Sequence, residues 1–127
     1  MDDPRFPQAI ELFNAEEFFA CHDVLEEIWS ETLDEDRNFY QGLIHAAVAL
    51  FHFTEGNLGG ARKMCSSAMA YLSGYAGVHR QIDLDRFRSE FDDCFAELRQ
   101  VQGGYPHGLT INERLIPKIH LIDESDS

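Results

Sequence analysis

The chain has 127 residues, 44% of them hydrophobic, and sets 23 acidic residues against 10 basic ones for a net charge of −13. That is the length of one domain with material for a real core. It is also too acidic for duplex nucleic acid or an anionic membrane, both of which need a basic face. No stretch reaches the roughly 18 consecutive apolar residues of a membrane span. The opening MDDPRFPQ has neither the basic nor the apolar region of a secretory leader, so the expected compartment is the cytoplasm. Only Lys63 and Lys118 among the cations are lysines; the rest are arginines. An acidic, lysine-poor surface around an ordinary core reads as adaptation to high salt, where self-repulsion is screened. The plainer reading is an acidic protein from an ordinary setting. Cys21, Cys65 and Cys94 are odd in number and widely spaced, which suits free thiols and neither a disulfide framework nor a zinc cluster.

In chain order, residues 1–6 read as a frayed arm. Ile10, Leu12 and Phe13 suggest a short helix from Pro7 to Asn14. The strongest periodicity follows over Ala15–Thr32, where Phe18, Phe19, Leu25, Ile28 and Trp29 recur at helical spacing. Glu16 and Glu17 would then sit in its first turn, at the favourable end of the helix dipole. A short acidic link leads into Phe39–Gly56, FYQGLIHAAVALFHFTEG, which is apolar almost all the way round and reads as a central buried helix. Gly56 suits a left-handed C-terminal cap and Asn57 an N-cap. A fourth helix spans Leu58–Tyr75, with Gly59 and Gly60 expected to allow close approach to a neighbour. A fifth spans Leu84–Val101 on Leu84, Phe87, Phe91, Cys94, Phe95 and Leu98. Leu109–Ile122 reads as an extended strap, and 123–127 as disordered. The fold class is therefore all-α: one domain over 1–127, a bundle of about five helices with short links and an extended C-terminal tail. Stacked helical hairpins are the topological alternative.

Polar residues interrupt the apolar pattern in one seam. His22 and Glu26 lie one turn apart on the second helix, and Trp29 continues their row. Gln41, His45 and His52 share a row on the central helix. Antiparallel packing of the two helices would bring imidazoles, a carboxylate and an amide into one pocket. Such groups could ligate a divalent metal through His22, Glu26 and His52, or support acid–base chemistry near neutral pH. They could equally be a structural network, since buried polar groups normally satisfy one another. His22-x-x-x-Glu26 lacks the second histidine of a zinc-protease helix, and no nucleophile–base order stands out. The glycines after Asn57 follow a helix, with no phosphate-loop lysine, so they do not mark an anion site.

Leu12-Phe13-Asn14, Phe18/Phe19, His22-Asp23-x-Leu25-Glu26-x-x-Trp29, Phe39-Tyr40-Gln41-Gly42-Leu43-Ile44 and His52-x-x-x-Gly56-Asn57-x-x-Gly60-Ala61 together resemble the small helical proteins of domain-of-unknown-function family 309. The resemblance covers about residues 6–75. It implies a helical bundle whose polar signature falls on His22, Glu26, Gln41, His52 and Asn57, with Trp29 beside it. Asp23 stands where the family usually has Glu, and His45 where Gln is expected. The added imidazole argues against an obligatory metal cage. No activity comes with the resemblance, and whether the chain is an enzyme stays open.

Two functions follow. The first is a binding or interaction protein with a structural seam, its partner another protein or a second copy. It predicts an exposed apolar patch away from the seam and loss of folding without Glu26. The second is a metal-dependent or acid–base enzyme, hydrolase-like, working at His22, Glu26 and His52.

Overall fold

The computed structural model describes residues 3–122, and over them the apolar spacing closes into five helices: α1 Arg5–Asn14, α2 Phe18–Glu31, α3 Arg37–Thr54, α4 Leu58–Leu72 and α5 Leu84–Arg99. The all-α bundle is the architecture expected. The disorder expected at 123–127 lies outside the described residues. Several local features differ. The chain is helical from Arg5, and the Asp3 carboxylate accepts from both the Arg5 backbone N–H and its guanidinium, so the arm is shorter than 1–6. Helix α2 starts at Phe18, not Ala15, because Glu16 takes a left-handed φ of 64° in the tight turn after α1. Glu16 and Glu17 therefore precede the helix and do not occupy its first turn.

Helix α3 packs most extensively against α4 and α2, while α1 lies on α2 and α5 on α4. Aromatic contacts hold α1 and α5 behind that row: Phe13 meets Phe87 at 5.6 Å, Phe6 meets Tyr40 at 5.7 Å, and Phe53 meets Phe95 at 5.1 Å. The result is two layers, α2–α3–α4 in front and α1 with α5 behind. Between Phe39 and Phe53 every α3 residue is buried except Gln41, His45, Val48, Phe51 and His52, which are half-buried. One stripe of the central helix thus faces outward.

The close helix approach falls at Gly42 and not at Gly59 or Gly60. A methyl on Gly42 would come within 2.6 Å of Leu72 Cγ on α4. Gly60 instead makes room for its own cap: a Cβ there would meet the Asn57 amide at 2.7 Å, and Asn57 Oδ1 accepts the Gly60 N–H at 3.0 Å. Gly56 has φ of 80° and ends α3 as expected.

Between α4 and α5 the chain makes a hairpin with no counterpart in the sequence reading. Val78–His79 (β1) pairs antiparallel with Ile82–Asp83 (β2). The turn residues Arg80 and Gln81 both have positive φ, 48° and 67°, a conformation usually signalled by Asn-Gly. The strap docks here. Leu121 bridges Ile82. Upstream, after a single 3-10 turn at Glu113–Leu115, the Asn14 side chain makes two hydrogen bonds to Ile119: Oδ1 accepts its N–H at 2.7 Å, and Nδ2 donates to its carbonyl at 3.0 Å.

Two stability predictions follow. Gly42→Ala gains roughly 0.5–1 kcal/mol of helix propensity but overpacks a fully buried Leu72 at about 1–3 kcal/mol. Net destabilisation on thermal or urea unfolding is expected. Asn14→Ala removes both bonds to Ile119, about 1–3 kcal/mol, and hydrogen exchange at the Ile119 amide should lose its protection while α3 keeps its own.

Candidate functional site

The outward stripe of α3 and the edges of α2 and α4 carry the seam residues, in three separate pairs. On α2, His22 Nδ1 lies 3.0 Å from the Phe19 carbonyl and 3.4 Å from an Asp23 carboxylate oxygen; Nε2 lies 3.3 Å from Glu26 Oε1. On α3, Gln41 Nε2 and His45 Nε2 are 2.7 Å apart, and Tyr71 of α4 stands edge-on to the His45 ring at 5.2 Å. At the α3–α4 junction, Asn57 Nδ2 lies 3.3 Å from His52 Nδ1. Trp29 is apart from all three, under the Arg37 guanidinium at 3.9 Å.

The pairs do not merge into one pocket, for a simple reason of length. Seven residues of helix separate His45 from His52, about 10 Å along the axis. His22 and His52 are linked only through two phenyl rings, Phe19 and Phe51, with successive centroids 5.0, 5.3 and 6.0 Å apart. The groups that do meet are His22, Asp23 and Glu26, whose ligand atoms lie within 4.8 Å of one another. Asp23 thus takes the place expected for His52 in a metal-ligating trio.

Exposed apolar side chains stand both at the seam, where Phe19, 56% exposed, packs on His22, and away from it, at Leu33, Val78, Leu115 and Leu121. Glu26 is 54% exposed, its carboxylate 3.3 Å from His22 Nε2. Losing such a contact costs under about 1 kcal/mol, which does not unfold a domain.

Five surface hollows stand out among the described residues, and none is lined by His22, Glu26, Trp29, Gln41, His45, His52 or Asn57. The largest, about 640 Å³, lies at the end of α4 beside Glu35, Tyr71, Tyr75 and His79. Thiol chemistry has no support either. Burial pushes Cys21 and Cys94 up to about 12 and Cys65 to about 11, so none is a thiolate at neutral pH.

One polar cluster escaped sequence reasoning. Asp36, in the α2–α3 link, receives His79 Nε2 at 2.7 Å and Arg80 Nη1 at 2.9 Å. The His79 ring sits between Phe39 and Tyr75, at 4.6 and 4.8 Å. This clamp ties the hairpin to the start of α3 and holds Arg80 in its left-handed turn. Its members are more than forty residues apart in the chain, beyond any spacing rule.

Comparison with known proteins covers this region. Residues 6–64 match the model of a family described as Domain of unknown function (DUF309), and every seam residue falls inside the match. Over 80 residues the chain is 30% identical to "Uncharacterized protein YpuF" of Bacillus subtilis (strain 168), covering 62% of this chain and 46% of that one. Over 82 residues it is 30% identical to an "Uncharacterized protein" of Aquifex aeolicus (strain VF5), covering 64% of this chain and 25% of that one. The chain therefore spans less than half the length of these curated relatives. Among the described residues no helix is long and apolar enough to cross a membrane.

His45 has the most constrained chemistry in the seam. Its Nδ1 is buried without a hydrogen-bond partner, and desolvation lowers its pKa below the ordinary histidine value of 6.5. A neutral ring can leave only a lone pair unpartnered there, if Nε2–H donates to the amide oxygen of a flipped Gln41. A protonated ring would bury an unpaired N–H. Because the folded value lies below the unfolded one, the unfolded chain holds the extra proton between them. Stability from neutral His45 is thus full above pH 6.5 and falls as pH drops below it. His45→Gln should flatten that slope in unfolding titrations at acid pH.

Proposed function

We propose that this chain is a member of the DUF309 family over residues 6–64 and serves as a non-catalytic binding protein. Its contact surface is the open α2–α3–α4 face. The observation supporting this is the make-up of the stripe: exposed Phe19 beside half-buried Phe51, exposed Tyr71 beside His45, and polar groups paired with one another outside the five hollows described above. A surface built this way offers area and contacts but no enclosed volume in which water could be excluded from a reaction.

The partner in this reading is another protein. Nucleic acid and anionic lipid are disfavoured by a net charge of −13. The three buried free thiols fit a reducing, cytoplasmic setting. The acid excess over few lysines fits high salt, where the surface field is screened.

A divalent metal at His22, Asp23 and Glu26 is the second reading, and a specific feature favours it. Both ring nitrogens of His22 face acceptors: Nδ1 the Phe19 carbonyl and Nε2 the Glu26 carboxylate. With Nδ1–H donating to the Phe19 carbonyl, the Nε2 lone pair faces the Glu26 carboxylate, and a cation between them would be shared by both. With a metal there, metal-dependent or acid–base chemistry becomes available.

Elemental analysis of protein purified without a histidine tag separates the two readings, with His22→Ala and Glu26→Gln beside it. We expect far less than one metal per chain, with both variants folded and only slightly shifted in Tm. Stoichiometric metal that disappears in both folded variants would overturn the first reading in favour of the second.

A further inference from the structure

We propose that the occupant of the open face is a cationic amphipathic helix laid along α3 between α2 and α4. This rests on the contact-surface reading above and adds the chemistry of the partner.

The first ground is charge. From Phe18 to Thr54 the chain's single lysine or arginine is Arg37. Its guanidinium covers Trp29 and donates to the carbonyls of Trp29 and Thr32. Asp23 and Glu26 are 59% and 54% exposed. No arginine or lysine among the described residues pairs with either; their one basic neighbour is the His22 imidazole, at 3.4 and 3.3 Å. The α2 border of the face therefore carries acid with no lysine or arginine beside it.

The second ground is the contrast between the two borders. The α4 row that ends at Tyr71, spaced back through Ser67 and Met64, carries no carboxylate, and the exposed Lys63 stands beside it one turn before Ser67. Tyr71 is exposed and rests against His45. A ligand matching an acidic edge on one side and an edge without carboxylates on the other is itself amphipathic, with Lys or Arg toward α2 and apolar side chains toward Phe51, Val48 and Tyr71.

Shape is the third. Gln41, His45, Val48 and His52 follow the i, i+4, i+7, i+11 row of a helix, a straight track about 16 Å long. The two aromatic anchors meet α3 at residues 45 and 51, about 9 Å apart along its axis. Side chains one and two turns apart on a docked helix would reach both. The track stays clear of the C-terminal strap, whose hydrogen bonds run to Asn14, Glu90 and the hairpin on the other layer.

The test uses the full chain, uniformly labelled with nitrogen-15, and three 18-residue helical peptides built from Leu with Lys, Leu with Gln, or Leu with Glu. The Leu/Lys peptide should shift the amides of Phe19, Asp23, Glu26, Val48, His52 and Tyr71. Its affinity should fall about tenfold in a folded Asp23→Asn, Glu26→Gln double variant, the loss of two exposed ion pairs. Equal affinity for the double variant, or shifts spread over α5 and the loops, would overturn the cationic helix. If the Leu/Gln or Leu/Glu peptide binds the same face at least as well, the charge of the partner is wrong while the contact surface stands. If none of the three touches this face, both the occupant and the contact surface fall.

Discussion

Everything in this bundle depends on covering α3. Ten of the fifteen residues from Phe39 to Phe53 are buried, more than one neighbour can shield, so α2 and α4 flank the helix and α1 and α5 back it. Small residues set the distances. Gly42 lets Leu72 and Tyr71 of α4 close in, while Ala46, Ala47 and Ala49 lie fully buried. Four neighbours around a cylinder still leave one strip uncovered. That geometry, more than any motif, is why Gln41, His45, Val48, Phe51 and His52 face out together.

The scarce cations have a consistent structural use. Helices end with carbonyls that lack partners and carry partial negative charge. Lys118 Nζ donates to the Asn14 carbonyl at the end of α1, and Arg37 donates at the end of α2. Arg88 donates to Leu72 and Tyr75 after α4, and Arg62 to Arg99 and Val101 after α5. In three of the four cases a guanidinium bonds to two carbonyls at once, from Nη1 alone in Arg37 and Arg88 and from both terminal nitrogens in Arg62. The end of α3 is closed locally instead, by the Asn57 N–H to the His52 carbonyl at 2.8 Å and the left-handed Gly56. With most of its cations engaged in caps and ion pairs, the chain keeps a net negative exterior, and α2 shows this most plainly.

The candidate site follows from both constraints. It is the strip that helix packing leaves open, bordered by the helix that carries acid and no lysine or arginine. Its histidines sit beside aromatic rings and amides, an environment that holds their orientation without enclosing a cavity. The Asp36–His79–Arg80 clamp stands at the other end of α3 and steadies the link between α2 and α3.

The helices themselves were legible because their signal is local. Apolar spacing within fifteen residues specifies a buried face, and Gly56-Asn57 marks a stop and a start through backbone conformation and a side-chain cap. The pairs His22–Glu26 and Gln41–His45 were legible for the same reason, being one turn apart. What only the tertiary structure decided involves residues far apart in the chain. The hairpin with Arg80 and Gln81 in left-handed turns has no Asn-Gly signal, and it is held by Asp36 from more than forty residues away. Phe19 has the spacing of a core residue yet lies outside, because α2 needs only Phe18, Cys21, Leu25 and Ile28 to cover α3 and α1. Whether His22 meets His52 depended on how far α2 slides along α3, a register that periodicity leaves undetermined and side-chain packing sets.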